Sequence, residues 1–244
     1  MQDNKATISA PGTEIKFPDI VIGIVSPVGT DIKQVIDELE LKFQVLGYIS
    51  HRIKITDEFP AIARDFSYKN LDNSTKHNRI TSYIKFGNKL RKNIGGDFLA
   101  RVAISQISKR RQQRKESVFN RRDSDKKGIV YIIDQLKTEA ELNLLRQVYD
   151  KLFFQVSVYS ARDVRVDNLS RIMAHDDKKA DRNNYRDGAE RVVSTDENEP
   201  TNPHGQRVGK IFQYADVVFS ADRTDEQNRI QNQVRRFVEL LFGY

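Results

Sequence analysis

Residues 19–47 read DIVIGIVSPVGTDIKQVIDELELKFQVLG, and the fold turns on this stretch. Ile20-Val21-Ile22-Gly23-Ile24-Val25 is β-branched and unbroken by polar residues, as in a strand buried on both faces. Ser26-Pro27-Val28-Gly29-Thr30-Asp31 interrupts it. Ile32, Val35, Ile36, Leu39, Phe43 and Leu46 then recur at helical spacing, and Gly47 supplies the stop. The predicted unit is strand, tight glycine-containing turn, helix. Such a turn aims backbone N–H groups and a helix N-terminus at one spot, which favours phosphate.

Set against the standard phosphate loop, G-x-x-x-x-G-K-[ST], the stretch is degenerate. With Gly29 as the second glycine, Thr30 stands where the lysine belongs and Asp31 where the Ser/Thr belongs. The first glycine falls one place out, at Gly23. A backbone cradle survives these changes; the lysine charge does not. A plain strand-to-helix turn, with Asp31 or Thr30 as the helix N-cap, fits the same residues.

The chain around this unit has 244 residues, 38% of them apolar, with Gly and Pro not enriched. That is enough for one large α/β domain or two small ones. The net charge of +7 is concentrated: residues 109–127, KRRQQRKESVFNRRDSDKK, hold nine Lys/Arg against three Asp/Glu, leaving 32 basic and 31 acidic residues elsewhere. There is no cysteine, which excludes disulfides and thiolate metal sites. The four histidines form neither H-x-x-x-H nor H-E-x-x-H, so no zinc site is expected. No apolar run approaches the roughly 18 residues of a membrane span, and the polar N-terminus lacks the order of a signal peptide. A cytoplasmic protein without membrane contact is expected.

Residues 1–18 read as a flexible lead, with Pro11-Gly12 and Pro18 as breakers. Residues 48–55, YISHRIKI, alternate as a strand near a sheet edge does, with His51 on the apolar phase. Helical patterns run from His77 to Asn93 and from Phe98 to Ile107, separated by Gly95-Gly96. Arg91 and Arg101 flank that turn, either as solvated helix charges or as anion contacts over a substrate cleft. The basic run 109–127 reads as an exposed insert, open to RNA or another polyanion. Its one aromatic, Phe119, gives little basis for stacking on bases.

A second apolar strand, Ile129 to Ile133, ends in Asp134. An acidic residue at the end of a buried strand is the Walker-B pattern, in which the carboxylate reaches Mg²⁺. A helix over 139–149 and a third apolar run, residues 152–159, lead into Ser160-Ala161-Arg162-Asp163-Val164-Arg165. Residues 175–205 show almost no apolar periodicity and read as a polar lid or a disordered segment. A short helix over 206–214, a brief strand over 216–219 and a final amphipathic helix complete the chain. Five strands alternating with helices predict an α/β fold, a mainly parallel sheet with helices on both faces. In such sheets ligands bind beyond the strand C-terminal ends. Residues 26–31, Asp134 and 160–165 all lie there, which favours a nucleotide.

GIVSPVGTDIKQVIDELELKFQVLGY, GNKLRKNIGGDFLARVAI, VYIIDQLKTEAELNLLRQVYDKLFFQVSVYSARDVRVDNL and the closing GQRVGKIFQYADVVFSAD…NQVRRFVELLFGY resemble the N-terminal P-loop kinase-like domain of bacterial anti-phage deoxycytidylate (dCMP/dCTP) deaminases. The resemblance spans residues 19–244, with 109–127 as a variable insert, and implies a P-loop NTPase or nucleoside monophosphate kinase-like fold. It also implies a nucleoside triphosphate and Mg²⁺ as ligands. Ser26, Gly29, Thr30 and Asp31 match the phosphate-loop segment, Asp134 the Walker-B-like position, and Arg162 and Arg165 the arginines after the fourth strand. In that family a zinc deaminase domain follows an LFG-type ending, here Leu241-Phe242-Gly243-Tyr244. The deaminase signatures H-x-E and P-C-x-x-C need cysteine, so deamination is not expected of these residues.

Three functions compete at this level. One is a nucleotide-binding regulatory domain serving a deaminase in cis or in trans, with residues 175–205 as the moving part. Another is a working nucleotide kinase or NTPase with Asp134 on Mg²⁺ and Arg162, Arg165 or Lys178 in place of the missing lysine. The last is an RNA-binding module acting through 109–127. Each is compatible with a homo-oligomer.

Overall fold

The computed structural model describes residues 18–118, 128–176, 183–198, 208–222 and 228–243. Its elements begin with β1 (Ile20–Val25), α1 (Lys33–Val45), β2 (Ile49–Lys54), α2 (Phe59–Asp65), α3 (Lys76–Asn93) and α4 (Phe98–Val118). They continue through β3 (Ile129–Asp134), α5 (Glu139–Tyr149), β4 (Phe153–Tyr159), α6 (Arg162–Asp176) and α7 (Asn183–Asn198). The last three are α8 (Val208–Phe212), β5 (Val217–Ser220) and α9 (Arg229–Phe242). The strands form one sheet in the order β2-β3-β1-β4-β5, every neighbouring pair parallel.

β1 sits at the centre and both its faces are covered. Val21 and Val25 enter a core with Tyr131 and Ile133 of β3, closed by α3, α4 and α5. Ile20, Ile22 and Ile24 face the other way and pack with Val130 and Ile132 against α1 and α9. This two-sided burial is why the run is apolar throughout instead of alternating. Gly23 belongs to that packing. A Cβ there would lie 2.5 Å from Leu136 Cδ1, so a side chain would displace the residue that follows β3.

On the second face, Val35, Ile36, Leu39 and Phe43 of α1 meet Ile230, Val234, Phe237 and Val238 of α9. The rings of Phe43, Tyr48 and Phe242 close that layer edge to face. β2 is an edge strand, as its alternation implies. This five-stranded parallel sheet with helices on both faces is the α/β architecture that the alternation of strands and helices predicted. Among the described residues no helix is long and apolar enough to cross a membrane.

Two segments differ from the sequence reading. The basic run does not begin as a loop: residues 109–118 are the last turns of α4. Arg111 within them is held by ionic and ring contacts that periodicity does not report. Arg111 Nε donates to Asp19 Oδ2 at 2.9 Å, and its guanidinium lies over the rings of Tyr131 (5.6 Å) and Tyr149 (5.5 Å). Burial pushes the Tyr149 phenol up to about 12, so this ring stays neutral beneath the cation. Residues 119–127, Phe119 among them, lie outside the described residues.

The second segment is 175–205. Its middle is a helix, α7, folded back on α6 with a small core of its own: Val166, Leu169 and Met173 against Ala189, Val192 and Val193. Lys178 and residues 199–205 lie outside the described residues, as does the lead except for Pro18.

Candidate functional site

The parallel register brings the C-terminal ends of three strands together. Asp134 stands beside Ile24 of β1 and Lys54 of β2. The loop between β1 and α1 leaves the sheet beside it. Its turn is closed by the Thr30 N–H donating to the Pro27 carbonyl at 3.2 Å. Gly29 adopts φ +87°, and a Cβ there would lie 2.6 Å from the Arg165 carbonyl oxygen. Glycine is therefore required twice over, by conformation and by space.

The loop is braced from α6. Arg165, buried, donates through Nη1 to the Val28 carbonyl at 3.4 Å and through Nε to the Ser160 carbonyl at 3.2 Å. Asn168 Nδ2 donates to the Gly29 carbonyl at 3.2 Å. Ser26 is fully buried: Gln135 Nε2 donates to its hydroxyl at 2.9 Å and Lys137 Nζ to its carbonyl at 2.9 Å. The Thr30 hydroxyl is buried and makes no hydrogen bond. Asp31 is exposed and accepts from the Lys33 N–H at 3.2 Å, a local brace at the start of α1.

Asp134 is 7% exposed and paired: Arg52 donates to its Oδ2 through Nε at 3.2 Å and through Nη2 as well. Arg91 is also spent inside the protein. Its Nε donates to Glu141 Oε1 at 2.9 Å and its Nη1 to Asn88 Oδ1 at 3.1 Å. Glu141 in turn accepts from the N–H groups of Lys137 and Thr138, forming a capping box with Thr138 at the start of α5. Arg101 pairs with Asp97 one turn back, is half exposed, and does not line the cleft. Arg162 Nη2 donates to Ser194 Oγ at 3.0 Å, tying α6 to α7.

These residues border a cleft of about 640 Å³. Of the sequence-derived candidates, Gly29, Thr30, Asp31, Arg91 and Asp134 line it; Ser26, Arg162 and Arg165 do not. Eight Lys/Arg and two Asp contribute to the wall. Lys33, Arg52 and Lys54 come from α1 and β2, Lys76, Arg79 and Arg91 from α3, and Lys137 and Arg171 complete the set. The α2–α3 side is apolar, with Phe59, Ile80, Tyr83 and Ile84; Arg79 lies 4.3 Å over the Tyr83 ring.

Lys137 escaped the sequence reading. It lies three residues after Asp134 in a short segment with no motif around it, and only the fold carries its ammonium to Ser26. Asp196 escaped for the same reason, being one of many acids in a polar stretch. Among the described residues no group of three or more His, Cys, Asp or Glu could hold a metal ion by itself.

No family model matches the chain, and no curated protein matches its sequence. Among solved structures it is similar to a shikimate kinase from Bacteroides thetaiotaomicron, with 10% identity and a TM-score of 0.42 over 91% of this chain and 98% of that one. It is also similar to a gluconokinase from Sinorhizobium meliloti 1021, with 11% identity and a TM-score of 0.39 over 93% of this chain and 97% of that one.

Proposed function

We propose that the cleft binds a nucleotide, its phosphates at the 26–32 loop and its base against the Phe59 and Tyr83 side. The domain would act as a regulatory unit of an anti-phage cytidine-nucleotide deaminase system. The nucleotide reading rests on the charge of the cleft: eight cations and two carboxylates around a loop with a positive-φ glycine and an unpartnered threonine hydroxyl. A polyanion with one flat apolar end suits that lining. The deaminase assignment, with its partner domain in cis or in trans, rests on the sequence resemblance alone.

The residues fit Mg²⁺ in donor type. This ion keeps several waters and needs one or two carboxylates together with ligand phosphates. Asp134 can offer Oδ1, since Arg52 engages Oδ2, and Thr30 a neutral hydroxyl. Bound there, Mg²⁺ would neutralise phosphate charge. Arg52 holds the Asp134 carboxylate in one orientation.

The regulatory reading is preferred over catalysis because Thr30 replaces the phosphate-loop lysine. A kinase or NTPase is the second reading, and Lys137 is the residue that favours it. Its Nζ is on the loop already, where Arg162 and Arg165 are turned to α7 and to loop carbonyls. Calorimetric titration of the purified chain with nucleoside mono-, di- and triphosphates in Mg²⁺ tests the binding. Arg79→Ala is expected to weaken it about tenfold, the loss of one charge-assisted contact. Absence of binding for every nucleotide at millimolar concentration would overturn the proposal. Chromatography of the same mixtures separates the two readings: transferred or released phosphate promotes the enzyme.

A further inference from the structure

The loop that the cleft offers to phosphate already holds an anion. Asp196 projects from α7, 168 residues along the chain from Val28, and accepts from the Val28 N–H through Oδ2 at 2.8 Å. Its side chain is 2% exposed. Its Oδ1 lies 3.6 Å from Lys137 Nζ, an ion pair longer than a hydrogen bond, while Lys137 donates to the Ser26 carbonyl at 2.9 Å. A buried carboxylate held by one hydrogen bond and one long ion pair is costly to desolvate. Here it does what a phosphate oxygen would do: it takes a loop N–H and neutralises the one buried lysine beside the loop.

We propose that Asp196 is an internal stand-in for phosphate, and that a phosphorylated ligand displaces it and frees α7. This rests on the nucleotide reading above and adds its regulation. A phosphate at the Val28 N–H cannot share that position with a carboxylate, by space and by like charge. α7 is held by the Val166, Leu169 and Met173 cluster, separate from the two cores that cover the sheet. Val28 packs at the edge of the same cluster, so loop and helix move against one small apolar contact. The contact Arg162–Ser194 is exposed and adds little resistance. Ligand arrival is thus converted into exposure of α7.

The experiment is calorimetry with inorganic pyrophosphate and with ATP on the full chain and on Asp196→Ala, together with hydrogen exchange of the α7 amides in the wild-type chain. Asp196→Ala is expected to bind pyrophosphate about tenfold or more tightly than wild type, since the competing closed state is removed. Exchange in 185–196 of the wild-type chain is expected to quicken when pyrophosphate or ATP is added. The exchange measurement needs no variant, so a misfolded Asp196→Ala does not leave the matter open. Binding to the variant alone would support the plug in its strongest form. Equal affinities with unchanged α7 exchange would overturn the plug and leave the nucleotide reading standing. Binding by neither protein would overturn both.

Discussion

The floor and the rim of the cleft carry the same kinds of side chain in opposite states. On the floor, Arg91, Asp134 and Lys137 are each under a tenth exposed and each is matched inside the protein: Arg91 to Glu141, Asp134 to Arg52, Lys137 to Ser26 and Asp196. On the rim, Lys33 and Lys54 are exposed and Lys76, Arg79 and Arg171 are half exposed. The cations therefore split into buried charges fixed by partners distant in the chain and surface charges, of which Lys33 and Arg171 pair only within their own helices, with Asp37 and Asp167. Lining a cavity is therefore no measure of a residue's role; the partner behind the side chain decides it.

The sharpest way to break this comparison is Glu141→Ala. The substitution strips the partner from a guanidinium that is 4% exposed and removes the capping box of α5. Breaking a buried pair from one side costs about 3–5 kcal/mol. The rim counterpart, Lys76→Ala, is expected to stay within about 0.5 kcal/mol of wild type. Urea denaturation of the two variants reads both numbers. A Glu141→Ala loss under about 1 kcal/mol would mean that the floor pair contributes no structure, since burial of an unpaired charge is then tolerated.

Next in size is Gly29→Ala. The new methyl group meets the Arg165 carbonyl at 2.6 Å while the backbone stays at φ +87°. Strain of that kind costs about 1–3 kcal/mol. The loop must shift to relieve it, so nucleotide affinity and the urea midpoint are expected to fall together. A variant with wild-type stability and weakened binding would place Gly29 against the ligand and not against α6.

What the sequence made legible follows the same division. β1 and β3 announced themselves because each is apolar on both faces, and their ends fall where the runs predicted. α5 was expected as a helix over 139–149 and forms there, its start fixed by a Thr138–Glu141 capping box that the helical pattern did not point to. The positions Gly29 and Asp134 were legible as punctuation at strand ends. Arg91–Glu141, Lys137–Ser26 and Val28–Asp196 were not, because each joins residues far apart in the chain that carry no periodicity. The α6–α7 hairpin was hidden for a related reason: its apolar residues, Ala189, Val192 and Val193 on the α7 side, are set in a segment rich in charge.

α4 gives the third test. Its basic end read as a solvated insert because charge dominates composition, yet Arg111 reaches Asp19 and two tyrosine rings. Arg111→Ala is expected to cost about 1 kcal/mol through the lost pair and ring contacts. Lys109→Ala is expected to cost nothing measurable in thermal melting. Equal behaviour of the two variants would return the whole run to the status of a solvated face.

The smallest effect concerns His51 on β2, outside the cleft and facing that basic helix end. Burial lowers its pKa below the usual 6.5, and the guanidinium groups of Arg110 and Arg114 lower it further. Its ring also lies 5.9 Å from that of Tyr131. A histidine depressed in the folded state binds its proton more readily when unfolded. Its contribution is therefore complete above the unfolded value and is lost as pH falls through it towards the folded value. An NMR titration of the ring protons is expected to show a midpoint below 6.5. Arg110→Ala is expected to raise that midpoint partway, since burial, the larger cause, remains. High salt is expected to act in the same direction, because it screens the arginines and leaves desolvation untouched. A midpoint at or above the ordinary value would mean that the α4 end does not press on β2.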